Sequence, residues 1–161
     1  MNATDPNQDG RSDFDFYVGR WRIFNRRLRE RLVGSTDWED FTGLSTAQKI
    51  LGGLGNFDET SFTRESGRLD GMTLRLFNLA SKEWSLYWSD SATGVLFPPM
   101  VGKFKNGRGL FYAQEQHRGA TVYSRFIWSG ITATTCHWEQ ALSEDGGQTW
   151  ETNWTMDFER V

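Results

Sequence analysis

Seven charged or amide residues lie inside segments with the composition of β-strands, and these side chains have the most chemistry to offer. They are Asn25, Arg27, Glu39, Arg75, Arg125, Glu139 and Asn153. Asn25 and Arg27 share a strand face with Trp21, because alternate residues of a strand point the same way. If that face is interior, the charge on Arg27 needs a partner, since an unpaired buried charge strongly destabilises a fold.

The expected ion pairs each join an arginine to a glutamate on a neighbouring strand. The side chains that would form such pairs are Arg27, Arg125, Glu39 and Glu139. A buried pair would orient a carbonyl or carboxylate ligand, or act as a general acid and base, so Glu39, Arg125 and Glu139 are the candidate catalytic residues. On the alternative interpretation these side chains face solvent in cross-strand ion pairs that each contribute little.

Aromatic residues are unusually frequent, with 8 Trp, 12 Phe and 4 Tyr in 161 residues. Aromatic side chains favour strands, fill cores and line ligand pockets. The sequence predicts a ligand-binding wall in which Asn25 and Arg27 fix the orientation of the ligand. The aromatic members of this wall are Trp84, Trp88, Phe126, Trp128, Trp138 and Trp154.

No residue pattern is typical of nucleophilic or metal-assisted catalysis. Cys136 falls on the apolar face of its strand and His137 on the opposite face, so the two neighbours cannot form a dyad. His117 lies beside a turn, and no three potential ligands have the spacing of a metal site. We therefore expect neither a metal nor a cofactor, and a haem held by one histidine is the alternative.

The elements that position these residues are predicted to be strands bounded by turns that contain glycine or asparagine. The first predicted strand begins at Arg20, and the others span residues 38–44, 73–78, 83–89, 101–104, 109–115, 121–128, 135–142 and 149–158. In the last strand Trp154 belongs to the apolar face and Asn153 to the polar face. The apolar segment 14–18 predicts a helical turn, with Ser12 or Asp13 as its N-cap.

One-sided apolar faces on about eight to ten consecutive strands predict an all-β protein, an antiparallel up-and-down β-barrel. Closure would remove exposed strand edges, and a barrel of this size holds one small ligand. Residues 13–161 are predicted to form a single β-barrel domain. Residues 1–12 are polar without periodicity and are predicted to be a disordered leader.

The segment Gly19-Arg20-Trp21 resembles the Gly-x-Trp signature that opens the first strand of lipocalins and related calycins. The resemblance implies that Trp21 plugs the closed end of the barrel and that Arg160 packs across it as a cation–π pair. Residues 25–28, 53–59, 84–88, 98–102 and 150–154 are also similar to a family of uncharacterised bacterial lipocalin-like proteins. That similarity implies a calycin-type barrel and no particular activity.

Three loops carry recognisable patterns. Residues 143–150 match the Asp-box pattern of sialidase propellers, which predicts a structural hairpin turn around Asp145. The glycine-rich segment 52–56 lacks the Lys-Ser/Thr of a phosphate loop, and predicts a rim loop or bulge with Asn56, Asp58 and Glu59 as polar groups at a barrel mouth. The apolar, proline-containing segment 96–100 is either a lid over the opening or a packed connector.

Charge and cysteine content restrict the class of protein. A net charge of −3 opposes nucleic-acid binding, although six arginines lie between positions 20 and 31. The single cysteine excludes an internal disulfide, and the sequence shows neither a signal peptide nor a membrane span. These features predict a cytoplasmic protein.

The function that these features favour is binding of a small apolar or aromatic metabolite inside a β-barrel cavity. The alternative is a cofactor-independent enzyme, an isomerase, cyclase or lyase, that acts on a hydrophobic substrate in the same cavity. A third hypothesis is a packed barrel that acts through its surface. The expected partner is a small hydrophobic molecule rather than a nucleic acid or a membrane, with a homo-oligomer as an open alternative.

Overall fold

The computed structural model describes residues 9–161, which form a closed barrel of ten antiparallel strands. The strands are β1 (Gly19–Leu28), β2 (Trp38–Ile50), β3 (Gly55–Arg64), β4 (Gly67–Asn78), β5 (Glu83–Asp90), β6 (Met100–Lys105), β7 (Arg108–His117), β8 (Ala120–Ser129), β9 (Thr135–Ser143) and β10 (Glu151–Arg160). Each strand pairs with the next, and β10 pairs with β1 to close the barrel. The predicted up-and-down β-barrel is therefore confirmed.

Alternation along each strand separates the interior from the outer surface. In β1, Trp21, Ile23 and Asn25 are buried, whereas Arg22 and Phe24 between them are exposed. The same period of two runs through β2, where every second residue from position 39 to position 47 is buried. The barrel interior therefore receives apolar and polar side chains from the same strand faces.

The predicted helical turn is present as a 3-10 helix, Asp15–Tyr17, before β1. Its predicted cap is wrong: Phe14 holds the N-cap position, and the Ser12 main-chain carbonyl, not its hydroxyl, accepts a hydrogen bond from the Asp15 amide at 3.0 Å. This turn places Phe14 and Tyr17 inside the barrel, where both are buried.

The predicted leader falls partly outside the described residues, which begin at Asp9. Residues 9–12 form a bend and a turn at the base of the barrel, where we predicted disorder. The Trp84 indole donates a hydrogen bond to the Gly10 carbonyl at 3.0 Å, and the Asp9 carboxylate pairs with Arg11 and Lys82. These contacts attach the segment to β5.

Strand β3 is absent from the sequence-predicted strands, and the rim loop predicted for residues 52–56 is wrong. A 3-10 turn at Leu51–Gly53 joins β2 to β3 at the closed end, and Asn56 and Asp58 are buried inside rather than lying at a mouth. The interior face of β3 begins with polar residues, so it has no apolar alternation by which the strand would be recognised.

Aromatic rings plug the closed end of the barrel. The ring centre of Phe14 lies 4.8 Å from that of Phe104 and 5.1 Å from that of Trp84. Tyr17 stacks on Trp21 at 5.7 Å with an interplanar angle of 10°. The Arg160 guanidinium lies over the Trp21 ring, so the predicted cation–π pair is confirmed.

A β-bulge between Thr152 and Trp154 changes the alternation of β10. The bulge turns Asn153 inward, where it is fully buried and its Oδ1 accepts a hydrogen bond from Gln140 Nε2 at 2.8 Å. The polar-face placement predicted for Asn153 is therefore wrong, because an extra residue in one strand shifts the faces on either side of it.

The predicted Asp-box hairpin turn is confirmed between β9 and β10. The Asp145 carboxylate accepts hydrogen bonds from the Thr149 hydroxyl at 2.6 Å, the Thr149 amide at 2.8 Å, the Ser143 hydroxyl at 2.8 Å and the Gln148 amide at 3.0 Å. These donors lower the pKa of Asp145 to about 2, the hydroxyl of Thr149 contributing most. The turn is thus organised around an ionised carboxylate.

Candidate functional site

The end of the barrel opposite the Trp21 plug is its mouth, and five connections surround it. They span residues 29–37, 65–66, 91–99, 118–119 and 144–150. Side chains from β1, β2, β3, β5, β9 and β10 point into the lumen just inside these connections. Most of the side chains that the sequence marks as candidates for binding lie here.

Five aromatic side chains form a cluster across the lumen inside the mouth, which we call the mouth cluster. Its members are Phe41, Phe62, Trp88, Trp138 and Trp154. The Trp154 ring centre lies 5.5 Å from Trp138, 5.9 Å from Phe62 and 6.5 Å from Trp88. Trp88 is on β5 and Trp154 on β10, on opposite sides of the barrel, so their contact spans the lumen.

Two glycines make room for the mouth cluster. A Cβ atom at Gly71 of β4 would lie 2.1 Å from the six-membered ring of Trp88, and one at Gly43 of β2 would lie 3.0 Å from the ring of Phe62. Both glycines stand at inward-facing positions where a side chain would compete with a ring. The absence of a side chain therefore allows the large rings to meet near the barrel axis.

Arg27 lies against the mouth cluster, with its guanidinium 4.5 Å from the centre of the Trp154 ring. Within residues 9–161 it forms no salt bridge, whereas its neighbours Arg26 and Arg29 are paired with Asp40 and Asp37. Burial, and to a smaller extent the nearby cations Arg31 and Arg64, lower the pKa of Arg27 to about 10, although Glu39 and Asp90 act in the opposite direction. The group is still a cation at neutral pH, and it would be stabilised by an anion.

Asn25, which lies nearer the closed end of β1 than Arg27, contacts the same indole. Its Oδ1 accepts a hydrogen bond from Trp154 Nε1 at 3.0 Å, and the residue is only 4% exposed. Its Nδ2 has no hydrogen-bond partner within residues 9–161. The structure therefore brings Asn25, Arg27 and Trp154 together, as three of the predicted binding residues.

Glu39 is buried at the mouth, but its partner is Arg64 rather than Arg27 or Arg125. The Arg64 guanidinium donates two hydrogen bonds to the Glu39 carboxylate, and these lower its pKa. Arg27 is directly opposite Glu39 in the β1–β2 register, yet its side chain turns to Trp154. The sequence does not reveal that Glu39 pairs with Arg64 instead of Arg27, because Arg64 lies on β3, a strand that the sequence does not predict.

Arg125 and Glu139, the other two catalytic candidates, lie on the outer face of the barrel. The Arg125 guanidinium stacks 4.3 Å from the centre of the Trp150 ring, under the Asp-box turn. Glu139 lies 3.3 Å from Nε2 of His137, whose Nδ1 is 2.7 Å from Asp157. The structure does not bring either residue to the lumen.

The predicted aromatic wall is divided between the two ends of the barrel. Trp88, Trp138 and Trp154 belong to the mouth cluster, and Phe126 packs on Trp138 with ring centres 4.9 Å apart. Trp84 and Trp128 instead belong to the closed-end plug, where the ring of Trp128 is 5.2 Å from that of Tyr17. Only the first group is near Arg27.

A buried ion pair near the closed end is missed by sequence reasoning. Arg75 Nη2 lies 2.6 Å from Asp58 Oδ2, and Arg75 Nη1 donates to Asn56 Oδ1 at 3.0 Å. The Arg75 guanidinium also stacks on the ring of Tyr17 at 4.8 Å. With its charge paired and its faces covered, Arg75 serves the packing of the closed end.

A depression of about 1070 Å³ lies outside the lumen, on the outer face of β1 to β5. Its lining includes the exposed Leu44 and is rich in hydroxyl groups, among them Thr42, Thr46, Ser61 and Ser89. A second depression of about 310 Å³ lies beside the turn at residues 106–107. Neither is formed mainly by the residues of the mouth cluster.

Two further properties concern residues 9–161 only. No group of three or more His, Cys, Asp or Glu side chains in this range is placed to hold a metal ion. The same range contains no helix long and apolar enough to cross a membrane.

Comparison with known proteins places the fold. No protein-family model matches the chain, and no curated protein matches it in sequence. The S-type phycobiliprotein lyase of Guillardia theta has a similar structure, with a TM-score of 0.62 at 10% identity over 99% of this chain and 98% of that one. The chain has a lipocalin-like barrel fold. At this identity the likeness shows the fold alone, and membership of the bacterial lipocalin-like family stays a prediction.

Proposed function

We propose that the protein binds a small molecule with a flat, conjugated body and a carboxylate group, at the mouth of its barrel. One observation carries the proposal: Arg27 is a half-buried cation without an ion-pair partner within residues 9–161, and it lies on the face of Trp154. Arginine is suited to carboxylates because its planar fork of N–H donors matches their geometry.

The mouth cluster supplies the apolar part of such a site. Trp88 and Trp138 both meet Trp154 edge to face, at interplanar angles of 86° and 90°. Aromatic side chains contribute large apolar area, and ligand sites combine such area with a few polar groups that fix orientation. The cluster and Arg27 together have this composition.

A linear tetrapyrrole is the ligand class that we propose. Linear tetrapyrroles carry a flat conjugated chain and carboxylate side chains, which correspond to the two parts of the site. The fold similarity to a phycobiliprotein lyase supports this choice, since phycobiliproteins carry pigments of that class. The choice of site residues does not come from that similarity. It comes from the chemistry of Arg27 and of the mouth cluster.

Access to the site requires movement, because the rings of the mouth cluster contact one another across the lumen. Trp88 is the member next to the connection 91–99, and its carbonyl accepts a hydrogen bond from the Phe97 amide at 2.9 Å. Val95, Leu96 and Phe97 in this connection are exposed apolar residues. We propose that the connection is the lid, the first of the two alternatives that the sequence offers for this segment.

Binding is favoured over catalysis by the carboxyl groups at the mouth. Glu39 has a lowered pKa because Arg64 donates to it. Burial opposes ionisation of Asp90, but hydrogen bonds from Trp88 and Thr93 outweigh it and lower its pKa. Neither carboxyl group is held protonated at neutral pH, so neither has the property of a general acid.

The test is a titration with biliverdin and with its dimethyl ester, followed by tryptophan fluorescence and by native mass spectrometry. We expect one biliverdin per chain, quenching of tryptophan emission, and binding of the ester that is weaker by about tenfold or more, because the ester cannot pair with Arg27. Absence of biliverdin binding, or equal affinity for the ester, would contradict the proposal.

A second candidate function uses the outer depression of about 1070 Å³ in place of the mouth. The observation that favours it is that the barrel lumen is occupied by the protein's own rings, while this depression is open. Amide chemical shifts distinguish the two. A ligand at the mouth perturbs Asn25 and Trp154, and a ligand in the depression perturbs Thr42, Ser61 and Met72.

A further inference from the structure

Buried polar atoms without a partner point to unused binding capacity. Within residues 9–161 five side chains carry such an atom, namely Asn25, Arg75, His117, Arg125 and Trp128, and Asn25 Nδ2 is the one beside the proposed site. A buried donor left without an acceptor costs free energy, so each one in a structure calls for an explanation. Asn25 lies beside the proposed site, and it is not explained by the closed-end packing.

The orientation of the Asn25 amide is fixed by its neighbour. The Trp154 indole can only donate a hydrogen bond, so the Asn25 atom 3.0 Å from Trp154 Nε1 must be the oxygen. The nitrogen therefore points away from the indole N–H, and it is the atom of the Asn25 amide that has no partner within residues 9–161.

Asn25 and Arg27 are close in space as well as in sequence. They occupy alternate positions on the inner face of β1, so their Cα atoms are about 7 Å apart. Arg27 covers the face of the Trp154 ring and Asn25 holds its N–H edge. A cationic donor and a neutral donor thus border the same indole.

We infer that Asn25 Nδ2 and the Arg27 guanidinium bind the two oxygens of one carboxylate beside the indole of Trp154. The inference rests on the proposed function and deepens it, because it makes Asn25 a residue that selects planar carboxylates. A ligand with an alcohol or amine at this position would leave one of the two donors unmatched.

Side-chain amide NMR tests this inference directly. The Asn25 NH2 resonances are assigned by their loss in the spectrum of Asn25→Asp, a variant that keeps an oxygen for Trp154. On titration of the wild-type protein with biliverdin we expect the Asn25 NH2 resonances to shift, and to shift much less with the dimethyl ester. Unchanged Asn25 resonances at saturation, with a shifted Trp154 indole resonance, would overturn the inference and leave the proposed function standing.

A pair of variants measures the contribution of the donor. In Trp154→Phe no indole N–H needs an acceptor, so adding Asn25→Leu removes the amide without leaving a donor unpaired. We expect biliverdin to bind Asn25→Leu/Trp154→Phe about tenfold more weakly than Trp154→Phe. Equal affinities overturn the inference, and if Trp154→Phe does not bind, the NMR titration decides. Failure of the wild-type protein to bind biliverdin is a different result, which removes the proposed function and the inference together.

Discussion

The guanidinium of Arg160, near the end of β10, lies 4.2 Å from the centre of the Trp21 ring, near the start of β1. Its N–H groups donate to the carbonyls of Phe16 at 2.6 Å and Val18 at 2.8 Å. Gly19, the residue after Val18, has a φ of +123°, and a Cβ there would lie 2.5 Å from the guanidinium. One arginine therefore joins the first strand, the last strand and the N-terminal turn.

Replacement of Arg160 by lysine is expected to destabilise the protein by about 2 kcal/mol, because an ammonium cannot stack and donate to these carbonyls together. Urea denaturation followed by tryptophan fluorescence measures the free energy of unfolding. Arg22→Lys, at an exposed position on β1, is the matched control and is expected to change little. Equal stability of the two variants would show that Arg160 does not hold the plug.

Gly71→Ala is expected to destabilise the barrel by about 1–3 kcal/mol, since the new methyl group would overlap the Trp88 ring. The near-ultraviolet circular dichroism signal of the tryptophans should change with it. Adding Trp88→Leu removes the overlap, so the double variant should lose less stability than the sum of the two single changes. Strictly additive losses would contradict the packing of Trp88 against Gly71.

Asp145→Asn is expected to lower stability at neutral pH and to have little effect near pH 2. The folded-state pKa of about 2 lies below the ordinary value of 3.8, so the carboxylate stabilises the fold above pH 3.8, and that stabilisation is lost as pH falls toward 2. Urea midpoints at several pH values measure the difference between variant and wild type. Glu144→Gln, at the adjacent exposed residue, is the control. A difference in urea midpoint between Asp145→Asn and wild type that does not change with pH would contradict the prediction.

Cys136 is expected to be unreactive in the folded protein. Burial raises the pKa of its thiol to about 12, and the residue is 3% exposed, so the nucleophilic thiolate is scarce and inaccessible. A colorimetric thiol reagent at pH 8 should react with the protein only in denaturant. Stoichiometric reaction within seconds under native conditions would contradict this burial.

The architecture was accessible from sequence because its signals are local. Alternating side chains in β1, the Gly-x-Trp segment and the turn around Asp145 each depend on neighbours within a few residues, and each is found in the structure. Period-two patterning also identifies the buried face of most strands. Local pattern therefore predicted the barrel and nine of its ten strands, and the resemblance to lipocalins predicted the Trp21–Arg160 pair at the closed end.

The site was less accessible because it depends on contacts between distant strands. Nothing near Glu39 in sequence indicates that Arg64 will pair with it, and the bulge that buries Asn153 has no sequence mark. The same holds for Arg75 and Asp58, which meet across the β3–β4 pair. Asn25 and Arg27 were recognised because they share a face with Trp21, whereas their contacts with Trp154 come from barrel closure.

The most direct test of the proposed site compares two adjacent arginines of β1. Arg27 faces the mouth cluster, while Arg26 points outward, with 61% of its side chain exposed and a salt bridge to Asp40. We expect Arg27→Gln to weaken biliverdin binding by about 10- to 100-fold, the loss of a charge-assisted contact, and Arg26→Gln to leave it unchanged. Equal affinities for the two variants, in proteins with wild-type stability, would show that no carboxylate is bound by Arg27.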